Sequence, residues 1–240
     1  MAHFTTHGLS LTIDDPNSLG INPALQRRLK EGVWEREEAK AIRDHGLLSP
    51  HSTIIELGAC IGIISCLANK QLLNDRQHVA VEANPLLIDT LASIRDENKC
   101  NFHIENCMVG EKSSERTFYI NPNFALDASA QLKKNKSCIV KQKTFQELEN
   151  KYSMSFDTLI MDIEHGEYEL FEKCLLPDKY FLKFNTIICE FHGHRPNDVN
   201  RNGKIFNPLL ATCILPELTK YYKCEGGGKG STKVMWFQKK

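Results

Sequence analysis

The 240-residue sequence lacks most of the features that would place a chain in a specialised class. No apolar run approaches the roughly 18 residues that span a bilayer, and the first 20 residues hold no signal-peptide core. A soluble, cytoplasmic protein with no membrane partner is therefore expected. Neither charge sign is in surplus. Lys+Arg and Asp+Glu each total 30, so no global field draws the chain to a polyanion, and no nucleic-acid partner is expected. The nine cysteines form no C-x-x-C pair, and several fall inside apolar strand or helix patterns. Packed, reduced thiols fit that distribution better than a disulfide framework. Internal repeats and low-complexity segments are absent. The length suits one domain with a sizeable core, with room for a modest N-terminal extension.

The stretch most informative by its presence is residues 52–68, STIIELGACIGIISCLA. Ile54, Ile55 and Leu57 form an apolar run too short for a helix and stop at Gly58, which predicts a buried strand. Gly58 and Gly62 lie in the turn that follows, with Ala59 and Cys60 between them, and an apolar helix comes next. Glycines at such a turn permit unusual backbone angles and a close approach of a ligand. The spacing is E-x-G-x-x-x-G, with cysteine where a dinucleotide fingerprint needs its middle glycine. Residues 77–82 (QHVAVE) predict a second strand that ends in Glu82, 24 residues after Gly58. An acid closing the second strand of a doubly wound sheet lies beside the first turn and accepts hydrogen bonds from ribose hydroxyls. Turn and acid together favour a nucleoside-containing cofactor.

Around this core, residues 9–13 (LSLTI) read as an outer strand and 22–45 as two helical pieces around Gly32, with Asn22 as N-cap, Pro23 at N1 and Gly46 as a stop. Packing on the sheet is the favoured role of the second piece, which begins at Trp34 and Glu35, over a cofactor contact. Residues 85–98 form a helix and 101–109 a third strand. A fourth strand at 155–164 ends in Asp162 and Glu164, a helix covers 166–175, and a fifth strand at 186–191 leads into a polar loop. A helix near 207–219 and two strands joined by GGGKGST finish the chain. No helix follows that glycine run, so a hairpin turn is favoured over a phosphate loop. The alternation predicts an α/β, Rossmann-like, doubly wound, mostly parallel seven-stranded sheet with an antiparallel terminal strand. Residues 1–45 are expected to form an N-terminal arm and helices packed on the core. Residues 46–240 are expected to form the cofactor-binding domain, with an insertion near 115–145 that makes an extra hairpin or lid. Five lysines in 132–143 are read as a solvated face.

The strand ends are polar: Glu56-Leu57-Gly58, Glu82, Asn106, Asp162/Glu164 and Glu190/His192. Ligands of open α/β sheets bind at the carboxyl ends of the strands, so this grouping points to a site. At these residues the chain resembles the class I S-adenosylmethionine-dependent methyltransferases, and within them the FkbM family. The resemblance runs in order through GVWEREEAKAIRDHGLLSPHSTIIELGACIGIIS, VAVEANP, NCMVG, VKQKTFQEL, DTLIMDIEHGEYELF and CEFHG, covering about residues 30–195. One departure is Glu164-His165-Gly166-Glu167, where the family has E-G-x-E. Here the glycine stands one place later, behind a histidine; a second, milder departure is Phe145 in place of leucine.

The resemblance implies methyl transfer, usually to oxygen, on a small-molecule acceptor such as a sugar or natural product, with S-adenosyl-L-methionine as cofactor. It implies that Glu56, Gly58, Ala59 and Gly62 hold the methionine and ribose parts, and that Glu82, Ala83 and Asn84 surround the ribose. Asn106, Cys107 and Met108 would rim the adenine, and Asp162 would face donor and acceptor. Asp162, Glu164, His165 and His192 are the candidates for proton removal or acceptor orientation, histidine being a suitable base near neutral pH. Glu190, His192 and His194 alternate along one strand face and, with Asp162, raise a divalent metal. Three ligands on one strand span roughly 13 Å, so a metal is possible but not favoured. The alternatives are an NAD-dependent oxidoreductase and a non-catalytic cofactor-binding module. A nucleic-acid adenine methyltransferase would need N/D-P-P-Y/F after strand four. Asn121-Pro122-Asn123-Phe124 precedes that strand and has only one proline.

Overall fold

The computed structural model describes residues 1–121, 128–129, 136–192, 209–227 and 232–240. A hairpin, β1 (Ala2–Thr6) and β2 (Leu9–Ile13), precedes helices α1 (Pro23–Lys30) and α2 (Arg36–Arg43). Alternation then begins with β3 (Ile54–Leu57), α3 (Ile63–Asn69), β4 (His78–Val81), α4 (Ile88–Glu97) and β5 (His103–Glu105). A smaller sheet follows, from β6 (Met108–Val109), β7 (Ser114–Ile120), β8 (Ala128–Ser129) and β9 (Lys136–Lys143). The chain returns through α5 (Phe145–Tyr152), β10 (Thr158–Met161), α6 (Glu167–Leu170) and β11 (Thr186–His192), and closes with α7 (Leu215–Leu218), β12 (Tyr222–Gly227) and β13 (Thr232–Lys239). No helix among the described residues is long and apolar enough to cross a membrane.

The main sheet has seven strands in the order β5-β4-β3-β10-β11-β13-β12. Its strands run parallel except β13, which is antiparallel to both neighbours. Period-two alternation sorts its side chains onto two buried faces. Ile54, Ala80, Ile160, Ile188 and Trp236 enter one cluster with the N-terminal hairpin and α1 to α4. Ile55, Val79, Leu159, Ile187 and Phe237 enter the other with α5, α6 and α7. Residues 2–42 thus share a core with the sheet.

Several elements start or stop for visible reasons. Asn22 caps α1 by accepting from the Leu25 N–H, with Pro23 in the first turn. Thr144 and Glu147 form a reciprocal capping box at α5. The N-terminal strand expected alone is half of a hairpin, because His7 and Gly8 both adopt positive φ (52° and 82°) and fold β1 onto β2. The single strand expected over 101–109 breaks after Glu105. The Asn106 Nδ2 donates to the carbonyls of Glu82 (2.8 Å) and Ala83 (3.2 Å), and the backbone leaves the sheet so that β6 pairs with β9. The 115–145 segment contributes the β7–β9 hairpin, which Arg116 ties to Glu169 of α6 through two hydrogen bonds. The helix expected over 166–175 is α6 running into a π-helical turn at Phe171–Leu175. A second π-helical turn, Leu210–Ile214, leads into α7. The glycine-rich run joins two paired strands, β12 and β13.

Gly58 has a sharper requirement than ligand access. Its φ is +85°, and a Cβ there would lie 1.7 Å from the Asp162 carbonyl oxygen. Gly62, at φ +93°, would press a Cβ to 2.6 Å from Leu91 Cδ1. The turn after β3 is therefore packed directly against the end of β10 and against α4. Gly58→Ala combines a left-handed backbone with a backbone clash, and should lower unfolding free energy by about 3 kcal/mol, measurable by urea denaturation.

Candidate active site

The parallel register aligns the strand ends. Leu57 pairs with Val81 and Met161, and Met161 with Cys189. One residue further along β4, β3, β10 and β11 come Glu82, Gly58, Asp162 and Glu190. Neighbouring strands lie about 4.8 Å apart, so Asp162 and Glu190 are adjacent acids in one row.

Glu82 is fixed beside the glycine turn. Its Oε2 accepts from the Cys60 N–H (2.8 Å) and its Oε1 from the Asn84 N–H (2.6 Å). Burial pushes its carboxyl up to about 7, against the lowering effect of those two N–H donors. Asn84 is buried, and its Oδ1 accepts from the Leu86 N–H. The Ala59 N–H donates to Val81, and Cys60 takes a positive φ of 52°. Burial, with Glu35, Glu82 and Asp162 nearby, holds the Cys60 thiol well above its ordinary range. The mouth of the turn is thus lined with carboxyls whose ionisation burial disfavours and a cation would favour.

Glu56 is placed differently from the other acids. It lies within β3, on the face bearing Ile54, and its Oε2 meets His78 Nε2 at 3.0 Å. The segment 106–108 divides: Asn106 braces the end of β4, Cys107 is buried on the opposite face from Met108, and Met108 joins the small sheet. Burial pushes the Cys107 thiol up to about 12.

The second half of the site surrounds His192. Its Nδ1 lies 2.8 Å from Glu167 Oε1, and its Nε2 lies 3.7 Å from Asp162 Oδ1 and 3.6 Å from Glu164 Oε2. The Tyr168 hydroxyl donates to the His192 carbonyl (2.7 Å). Burial alone would lower the imidazole, but Glu167, Glu164 and Asp162 together hold it well above its ordinary value. The surrounding carboxyls thus favour its imidazolium form, which suits it to orienting and donating rather than to taking a proton. Asp162 is raised well above the usual carboxylate range by burial and then by Glu190. The turn from β10 to α6 is strained. Glu164 and His165 both have positive φ (48° and 72°), whereas Gly166 is ordinary at −75°. The histidine thus occupies the left-handed position that favours glycine, at a cost of roughly 1–2 kcal/mol. The His165 ring stands 5.3 Å from that of His192. A Cβ at Gly166 would crowd Ile163, lying 3.0 Å from its Cδ1 and 3.1 Å from its carbonyl oxygen.

The fold also brings in residues given no site role from sequence. Glu35 sits at φ +50° before α2, and burial pushes its carboxyl up to about 8. Glu38, buried in α2, faces Glu190, and burial followed by Glu190 raises it well above the carboxylate range. The available signal was an acid in the buried stripe Glu38, Ala41, Ile42 of a short helix. His194 lies outside the described residues, as do residues 122–124 of the Asn121-Pro122-Asn123-Phe124 segment.

The sheet order and the strand-end site define a Rossmann-like methyltransferase fold. The methyltransferase FkbM domain matches residues 56–213, and the chain belongs to that family, whose methyl donor is S-adenosylmethionine. A putative O-methyltransferase from Klebsiella pneumoniae superposes with a TM-score of 0.51 at 10% identity, over 91% of this chain and 91% of that one. An O-methyltransferase from Bacillus cereus in complex with SAH gives 0.49 at 15% identity, over 84% and 80%. A putative RNA methyltransferase from Pyrococcus horikoshii gives 0.44 at 12%, over 87% and 82%. At such identities the likeness is one of fold. No curated protein matches the sequence.

A buried imidazolium makes stability depend on pH. Its folded value is raised above the ordinary 6.5, so its contribution is full below about pH 6.5 and is lost as pH rises through the folded titration. The unfolding free energy of wild type should exceed that of Glu167→Gln by about 3 kcal/mol near pH 6. The gap should narrow steadily in alkaline urea titrations.

Proposed function

We propose that the protein transfers the methyl group of S-adenosylmethionine to a hydroxyl of an uncharged or cationic small molecule. The observation that carries this reading is the wall of carboxylates around the glycine turn and the ends of β10 and β11. Bound S-adenosylmethionine supplies an electrophilic methyl group on a positively charged sulfonium. The residues fit such a group. Glu82, held by two backbone N–H donors, has lone pairs left for ribose hydroxyls, and Glu35, Glu82 and Asp162 around Cys60 favour a cation. A dinucleotide pyrophosphate at the same turn would be repelled by them, which argues against the NAD alternative. The phosphates of a nucleic acid would meet the same field, and zero net charge offers no compensating attraction.

In this reading Asp162 receives the acceptor's proton. Its Oδ1 is buried and has no hydrogen-bond partner. Burial, followed by Glu190, raises the carboxyl and so makes its ionised form a stronger proton acceptor. The His192 imidazolium, anchored by Glu167, orients Asp162 and the acceptor. Glu164 and His165 border this space on their strained turn. Glu56 acts through His78 and the strand, and Gly58, Ala59 and Gly62 shape the turn against its neighbours. Asn106 positions Glu82 by bracing the backbone behind it.

Calorimetric titration with S-adenosylhomocysteine and with NAD⁺ tests the reading. Wild type should bind the former and not the latter, and Glu82→Ala should lose at least about tenfold in affinity. A carboxyl near 7 accepts from ribose hydroxyls much more strongly once ionised. Binding should therefore be about tenfold tighter at pH 8 than at pH 6 in wild type, and this dependence should vanish in Glu82→Ala. Binding of NAD⁺ alone would overturn the proposal. Once an acceptor is found by screening hydroxyl compounds, Asp162→Asn should lower kcat by about 10²–10⁴-fold while leaving S-adenosylhomocysteine affinity within a few-fold.

A further inference from the structure

We propose that Glu38, Asp162 and Glu190 form a binding site for one divalent, oxygen-preferring cation of the Mg²⁺, Mn²⁺ or Ca²⁺ kind. One carboxylate oxygen from each lies within 4.8 Å of the others. The three come from separate elements, α2, the end of β10 and β11, so the grouping is a product of the fold. Strand pairing sets Asp162 and Glu190 in one row, and α2 packs across β11 and β13 to deliver Glu38.

A group of acids is not by itself a metal site, and a second observation supports this one. Glu38 is 6% exposed, yet its Oε1 has no hydrogen-bond partner. Asp162 Oδ1 makes no hydrogen bond either, with His192 Nε2 standing off at 3.7 Å. An orphaned carboxylate oxygen costs more than a neutral polar atom because its charge also loses hydration. Carboxylate oxygens brought this close repel one another unless a positive charge lies between them, a place that a cation can take. All-carboxylate donors suit hard cations rather than zinc or copper, which favour nitrogen and sulfur.

This set differs from the metal raised by the sequence, which drew Glu190, His192 and His194 from one strand with Asp162. Here β11 contributes only Glu190. Asp162, Glu167 and His192 also come within 4.8 Å of one another, but there His192 Nδ1 and Glu167 Oε1 already satisfy each other at 2.8 Å. Cation binding is independent of the acceptor's identity and of the cofactor. If the acceptor is a hydroxyl, as proposed above, the cation would add a Lewis acid beside Asp162.

The test uses the full chain without cofactor, titrated with MnCl₂ and followed by electron paramagnetic resonance and calorimetry. One Mn²⁺ per chain is expected, displaceable by excess Mg²⁺ or Ca²⁺. Glu38→Gln and Glu190→Gln should each weaken Mn²⁺ by at least about tenfold, while Glu115→Gln, at an exposed acid of β7, should bind as wild type. Circular dichroism on each variant separates loss of the site from loss of the fold, and either folded variant suffices. Saturating S-adenosylhomocysteine should leave Mn²⁺ bound. Absence of Mn²⁺ binding by wild type, equal binding by the folded variants, or expulsion of Mn²⁺ by S-adenosylhomocysteine would overturn the proposal. The last result would assign the acids to the cofactor's ammonium group.

Discussion

Like charges cannot be gathered in a water-poor space without a proton, a counter-ion or a ligand to offset them. This constraint governs the strand-end side of the sheet, where Glu35, Glu38, Glu82, Asp162, Glu167 and Glu190 approach a common region and His192 is the buried cation that faces several of them. Burial alone raises a carboxyl, and each acid raises its neighbours further. The structure answers in three ways. Glu82 takes backbone N–H donors, burial and Glu190 disfavour the charge on Glu38, and Glu167, Glu164 and Asp162 favour the charged form of His192. What remains is a preference for cationic ligands, which connects the burial of these groups to methyl transfer from a sulfonium.

Rigid packing holds the acids in place. The Gly58 turn touches the Asp162 backbone at a distance that admits no Cβ, so the glycine turn and the end of β10 cannot move independently. Asn106 braces the carbonyls on either side of the β4 exit, and Arg116 links the small sheet to the helix that carries Glu167. The strain at Glu164 and His165 is held by this surrounding structure, as is usual where backbone geometry serves a site.

Much of the fold was legible. Apolar runs ending at glycine or acid, separated by helical patterns, gave the parallel strands, and the Asn22-Pro23 and Gly32 signals located the two leading helices. The unread elements depend on distant partners. β1 forms because His7 and Gly8 turn it onto β2. The third strand ends at Glu105 because Asn106 bonds to another strand's carbonyls. Glu105 and Glu190 show why acids at strand ends could not be ranked. Lys143, Lys151 and Tyr152 hold Glu105 and lower its carboxyl despite burial, whereas Glu190 meets Glu38.

The sequence by itself determined the alternation of strands and helices, the glycine turn, the acid closing the second strand and the family, because these rest on local periodicity, backbone permissiveness and contiguous motifs. Only the tertiary structure decided that Glu38 joins Asp162 and Glu190, that Glu56 turns to His78 and that His192 is an imidazolium. Those outcomes are set by burial and by charges contributed from segments more than twenty residues apart, and neither quantity is written in the local pattern of any one segment.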